Sequence, residues 1–84
     1  MKKKIEKISD YCKSFINDNG FNDTDVKVSF DGDVMSVSLF DTETKDDLFS
    51  FQVNFYSVEI NGFCTDRRLF DLTVAVWTMF NWDK

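Results

Sequence analysis

The chain has 84 residues, 43% hydrophobic and 17% aromatic, with ten Phe, three Gly and no Pro. That is enough apolar mass for one core and too much for a disordered segment, while a single domain this short cannot enclose a deep cofactor cleft between two lobes. The net charge of −5 sets the chain against nucleic-acid backbones and anionic membranes and favours basic protein surfaces as partners.

The charge is uneven along the chain. Residues 1–13 hold five Lys against Glu6 and Asp10, a local +3, whereas residues 18–47 hold nine acids against Lys27 and Lys45, a local −7. The opening "MKKKIEKISDYCK" is basic but lacks the apolar run of a signal peptide, and nowhere do about twenty apolar residues follow one another as a membrane span requires. With Cys12 and Cys64 at unrelated spacing, the chain reads as cytoplasmic with reduced thiols.

Residues Lys3 to Asn17 predict a helix. Ile5, Ile8, Cys12, Phe15 and Ile16 recur at spacings of three and four, with Tyr11 at the edge of the stripe, and Gly20 suits the left-handed position that ends it. "DVKVSF" alternates, turning Val26, Val28 and Phe30 one way and Lys27 and Ser29 the other. "DGD" at 31–33 predicts a tight hairpin turn, and "VMSVSLF" a second strand facing Met35, Val37 and Leu39 inward. A polar loop, "DTETKDD", precedes a third strand over 48–60, with Phe49, Phe51, Val53 and Phe55 inward. Past Phe55 the parity slips to Tyr56, Val58 and Ile60, which suggests a bulge or bend near Phe55–Tyr56. After "NG" at 61–62, Thr65 or Asp66 can cap a last helix whose stripe is Leu69, Leu72, Val76, Met79 and Phe80, flanked by Phe70 and Trp77. The expected fold is α+β in the order α-β-β-β-α, a three-stranded antiparallel meander with two helices packed on one face.

Sites for chemistry are sparse. With no His, the commonest general base and metal ligand is missing, and the two Cys do not form a C-x-x-C pair. Cys12, on the apolar stripe, reads as packed rather than nucleophilic. Neither "NDNGFNDTD" nor "DGD" meets the calcium-loop pattern, and neither phosphate-binding glycine motif occurs. A carboxylate pair would need a cleft to raise one pKa, and a thin domain offers little. No catalytic, metal or cofactor site is expected, and no cofactor.

The element order resembles that of the double-stranded RNA-binding domain. That family holds RNA with a lysine cluster at the start of its second helix and a β1–β2 loop that reaches a minor groove. Here "TDRRLFD" puts Arg67 and Arg68 at that helix start between Asp66 and Asp71, and the β1–β2 connection is the short acidic "DGD". The resemblance covers topology alone, and RNA binding is not carried over from it.

Surfaces remain. Outward on the sheet stand Lys27, Ser29, Ser36, Ser38, Ser50, Gln52 and Asn54, a flat face of small polar groups that is either simply wetted or a docking face. Phe40 and Tyr56 at its margins, and Trp82 on the helix side opposite Leu69, are candidate aromatic anchors or core residues. The expected function is a small acidic, non-enzymatic binding protein. Its loop acids Asp31, Asp33, Asp41, Glu43, Asp46 and Asp47 would engage a basic surface of a nucleic-acid-handling protein, occupying Lys and Arg that otherwise bind phosphate. Small, acid-rich and without a catalytic kit is the profile of phage-encoded inhibitors, antitoxins and immunity proteins, by analogy of class. Two alternatives stand beside it. One is an RNA-binding module using Lys3, Lys4, Lys7, Arg67 and Arg68; the other is a structural protein that homodimerises through a strand edge.

Overall fold

Helix α1 spans Lys2–Asp18 in the computed structural model, which describes residues 2–62 and 66–82, the side chains of Lys2 and Trp82 aside. Its stripe sinks as the spacing requires: Ile8, Cys12 and Ile16 are buried, with Ile5 and Phe15 packed at the margin. The helix stops in a full Schellman turn. Phe21 N donates to Ile16 O at 3.0 Å and Gly20 N to Asn17 O at 3.3 Å, with Gly20 at φ 71°. Phe21 then stacks on Phe15, ring centroids 6.0 Å apart, the hydrophobic contact that accompanies this cap.

The sheet is a four-stranded antiparallel meander: β1 (Thr24–Asp31), β2 (Val34–Asp41), β3 (Asp47–Val53) and β4 (Val58–Asn61), paired in that order. Asp31 pairs with Val34 across a two-residue turn in which only Gly32, at φ 64°, lies in the left-handed region, the pattern of a type II′ hairpin. The α+β class and the two flanking helices are as expected, and the strand count is a correction. The single strand over 48–60 is two strands, so the order is α-β-β-β-β-α, one strand more than the double-stranded RNA-binding domain has. Of the bulge or bend expected at Phe55–Tyr56, the structure has the bend, closed as a hairpin turn between β3 and β4. Asn54 builds it: its Oδ1 accepts the backbone N–H of Tyr56 at 2.7 Å and of Ser57 at 2.8 Å, while Asn54 N donates to Ser57 O. Asn54 is thus a turn former instead of a member of the open face. A true bulge lies elsewhere, where Leu39 pairs with Phe49 but Phe40 pairs with Asp47, leaving Leu48 out of register and exposed.

Helix α2 (Arg67–Trp82) is capped by Asp66, whose Oδ1 accepts the Arg68 N–H at 2.9 Å. Thr65, the other candidate cap, lies outside the described residues. Leu72, Val76 and Phe80 are buried from α2, facing Val26, Met35, Val37, Leu39, Phe49, Phe51 and Val53 from the strands. α1 lies over β1 and α2 over β3 and β4, antiparallel to one another. Lys4 of α1 donates to Phe80 O at 2.7 Å, near the end of α2, and Arg68 at the start of α2 donates to Asn19 O just past α1. Thr73 is buried too, its hydroxyl donating to Phe70 O, so its polarity is satisfied within the helix.

Two turn positions give opposite expectations. Gly32 has open space where a Cβ would go, so Gly32→Ala meets only backbone strain and should cost about 1 kcal/mol. Lys45 already pays that strain at φ 67°, so Lys45→Gly should be neutral or stabilising by up to about 1 kcal/mol. Urea unfolding of both variants measures the pair.

Candidate functional site

The meander sorts the loop acids by the direction of the chain. The β1–β2 and β3–β4 turns lie at one end of the sheet, and the β2–β3 loop lies at the other with the start of β1, because Thr24 pairs with Asp41. Asp31 and Asp33 therefore stand at the first end, while Asp41, Glu43, Asp46 and Asp47 stand at the second. The eight residues of β2 hold the two groups about 25 Å apart. The six carboxylates do not form one cluster.

The second end is the more acidic. Asp23 and Asp25, which sequence reasoning left off the site, join it through strand register: Asp25 pairs with Phe40 and Phe40 with Asp47. Asp41 itself is a turn former. Its Oδ1 accepts the N–H of Glu43 at 2.8 Å and of Thr44 at 3.0 Å, and these bonds, that from Thr44 first, hold its carboxyl below the usual carboxylate range. The loop is tied across to the α1–β1 connection, where Thr42 donates to Asp23 O from its backbone at 2.9 Å and its hydroxyl at 3.3 Å. Glu43, Asp46 and Asp47 are exposed and, among the described residues, form no ion pair. The result is a hydrogen-bonded loop with unpaired charge on its outside.

Phe40 is half-buried on the open face of the sheet, between Asp25 and Asp47 of the neighbouring strands, with Lys45 Nζ 5.8 Å from its ring centre. Tyr56 sits at the opposite end on the tip of the β3–β4 turn, 92% exposed. The Trp82 side chain and Cys64 lie outside the described residues. The open face itself is built of cross-strand rows, Lys27–Ser38–Ser50–Asn61 and Ser29–Ser36–Gln52–Glu59, and among the described residues no helix covers it.

The basic residues are divided as well. Lys3, Lys4 and Lys7 lie at the start of α1 and Arg67 and Arg68 at the start of α2, so the antiparallel helices put them at opposite ends. Lys4 is engaged by Phe80 O and its ring. Arg68 forms an ion pair with Asp66 at 2.8 Å and lies over Phe21 at 4.8 Å. The side-chain bond from Arg68 lowers the Asp66 pKa and raises that of Arg68. No single basic patch results from these five residues.

Burial pushes the Cys12 thiol up from 9.0 to about 12, so it stays protonated at neutral pH. Among the described residues, no three or more Asp, Glu and Cys gather as a metal would require, and no helix is long and apolar enough to cross a membrane. Between the end of α1 and the start of β1 runs a shallow groove of about 370 Å³ lined by Lys13, Ile16, Phe21, Asn22, Asp23 and Asp25, of mixed charge. Comparison with known proteins brings no match, whether to a family model, a curated protein or a solved structure.

Two expectations follow from these groups. In a Cys64→Ser background, Cys12 of the native protein should resist iodoacetamide at neutral pH and be alkylated once the chain is unfolded, as read by mass spectrometry. Asp41→Ala should speed amide exchange at Glu43 and Thr44 and lower the urea midpoint, with Asp41→Asn, which keeps the acceptor, falling between it and wild type. Because the folded-state pKa of Asp41 is depressed, its charge contributes stability above the unfolded pKa. That contribution is lost as pH falls through the folded value, and Asp41→Asn should lack this acid-dependent part.

Proposed function

We propose that this is a cytoplasmic, non-enzymatic binding protein that presents the acidic end of its sheet to a basic surface on a partner protein. The observation that carries the reading is the β2–β3 loop, where Glu43, Asp46 and Asp47 project from a connection already fixed by Asp41 and by the Thr42–Asp23 bonds. Carboxylates on a pre-ordered loop lose little conformational freedom on binding, and unpaired ones speed encounter with a cationic surface. Phe40 between Asp25 and Asp47 offers an apolar centre within that rim.

The partner class follows from the charge. A nucleic-acid-handling protein concentrates Lys and Arg where it binds phosphate, and spaced carboxylates can occupy the same groups. An inhibitor, antitoxin or immunity-like role fits such occupancy. The two ends of the sheet are too far apart to serve one compact patch, so Asp31 and Asp33 are secondary in this reading.

Affinity capture from a nuclease-treated extract tests it, with washes at about 0.1 M and then about 0.5 M salt, where screening shortens several-fold. The expected result is a basic nucleic-acid-binding protein that releases at the higher salt. Reversing Glu43, Asp46 and Asp47 together to Lys should weaken its binding at least about tenfold, chiefly through the association rate, while reversing Asp31 and Asp33 should do less. Equal affinity after the triple reversal would overturn the reading.

A further inference from the structure

The sheet has two free edges, and they are not equivalent. In an antiparallel ladder, hydrogen-bonded and non-hydrogen-bonded pairs alternate. Asp31 and Val34 close the first hairpin, so the backbone groups of Val26 and Val28 point outward from β1. There one outward donor is taken and a charge is placed on the edge: Val26 N–H donates to the Asp25 carboxylate at 2.7 Å. On the other side, Asn54 N donates to Ser57 O, making Gln52–Glu59 and Ser50–Asn61 the next bonded pairs. The N–H and C=O groups of Val58 and Ile60 then point away from β3, and among the described residues no side chain caps them.

Beside this open edge runs an apolar stripe. Phe70, Val74 and Trp77 lie on one side of α2 with Asn81, which reaches Asn54 O and so marks that side as the one towards the β3–β4 turn and away from α1. Phe70 and Val74 are 52% and 47% exposed.

From this geometry we infer that a second copy of the chain pairs with β4, joining two sheets into one of eight strands. A two-fold that sets β4 antiparallel to its mate must run perpendicular to the sheet, so it passes through one residue paired with itself. Centred on Glu59, the register opposes two like charges on the open face, which is destabilising. Centred on Ile60, it sets Ile60 against Ile60, Val58 against Gly62, and each Glu59 carboxylate against an Asn61 amide, which donates one N–H to Ser50 Oγ at 3.2 Å and has a second to offer. Of these two registers, the one centred on Ile60 is complementary to itself. Strands spaced about 4.8 Å also place α2, centred over β3 and β4, about 10 Å from its mate, the separation at which helices pack. Phe70 and Val74 would fill that seam.

The inference does not rest on the acidic-end reading, and salt separates the two. Copies of charge −5 repel less when screened, so the dimer strengthens at high salt whereas the acidic-end complex weakens. Sedimentation equilibrium of the full chain across a concentration series tests it. The expected result is a monomer–dimer equilibrium that Asn61→Asp weakens about tenfold, since both symmetric pairs then oppose like charges. Glu59→Lys added to Asn61→Asp restores it, while Ser36→Asp, the same charge placed two strands away, leaves it unchanged. Amide exchange slowing at Val58 and Ile60 with concentration supports the same edge. A monomer at every concentration, a dimer that responds equally to Asn61→Asp and Ser36→Asp, a double variant that fails to recover, or protection confined to β1 overturns it.

Discussion

Seven side chains alternating along three strands, from Val26 to Val53, must leave water on one side of a sheet a single layer thick. Two helices are the elements available to cover them, and every other feature is arranged around that burial. Each large aliphatic or aromatic group so placed contributes about 1.5–3 kcal/mol, against a net stability for a domain of only about 5–15 kcal/mol. Loss of either helix would leave the apolar face wet. The cross-ties between them, Lys4 to Phe80 O and Arg68 to Asn19 O, close both ends of the helix pair.

Covering one face leaves the other to solvent, and the chain meets it with Ser, Gln and Asn flanked by Lys27 and Glu59 on the outer strands. The connections are handled with one device used twice. Asp41 and Asn54 each begin a strand connection, and the Oδ1 of each accepts the backbone N–H groups two and three residues further on. The neutral version sits at the end with Phe55 and Tyr56, the charged version at the acidic end. Turn chemistry and surface charge are thereby set by the same residues.

The edges continue this asymmetry. β1 carries Asp25, Lys27 and Asp31 and spends the Asp25 carboxylate on its own backbone, whereas β4 is short, carries the one charge of Glu59, and borders the exposed stripe of α2. A domain with so little layered depth leaves most of its recognition potential at its ends and edges rather than in a cavity.

Local sequence alone determined both helices, the inward sets of β1 and β2, the Gly20 stop and the Gly32 turn, because each depends on neighbours within a few residues. The burial of Cys12 was legible for the same reason. In β3 it placed Phe49, Phe51 and Val53 correctly, but Phe55, expected inward with them, lies in the turn and is 55% exposed. Tertiary structure decided what depends on pairing between distant segments. Asn54 carries no glycine signal, and its turn uses no positive φ, so the break between β3 and β4 showed only as a change of parity. The acids of residues 18–47 were visible as a run, yet only the up-and-down path of the meander sends Asp31 and Asp33 to one end and gathers Asp23 and Asp25 with Asp41, Glu43, Asp46 and Asp47 at the other. Likewise Phe70 read as a flank residue of an amphipathic helix, whereas the exposure of Phe70 and Val74 is a tertiary outcome: β4 is the edge of the sheet, and among the described residues no further strand lies beyond it.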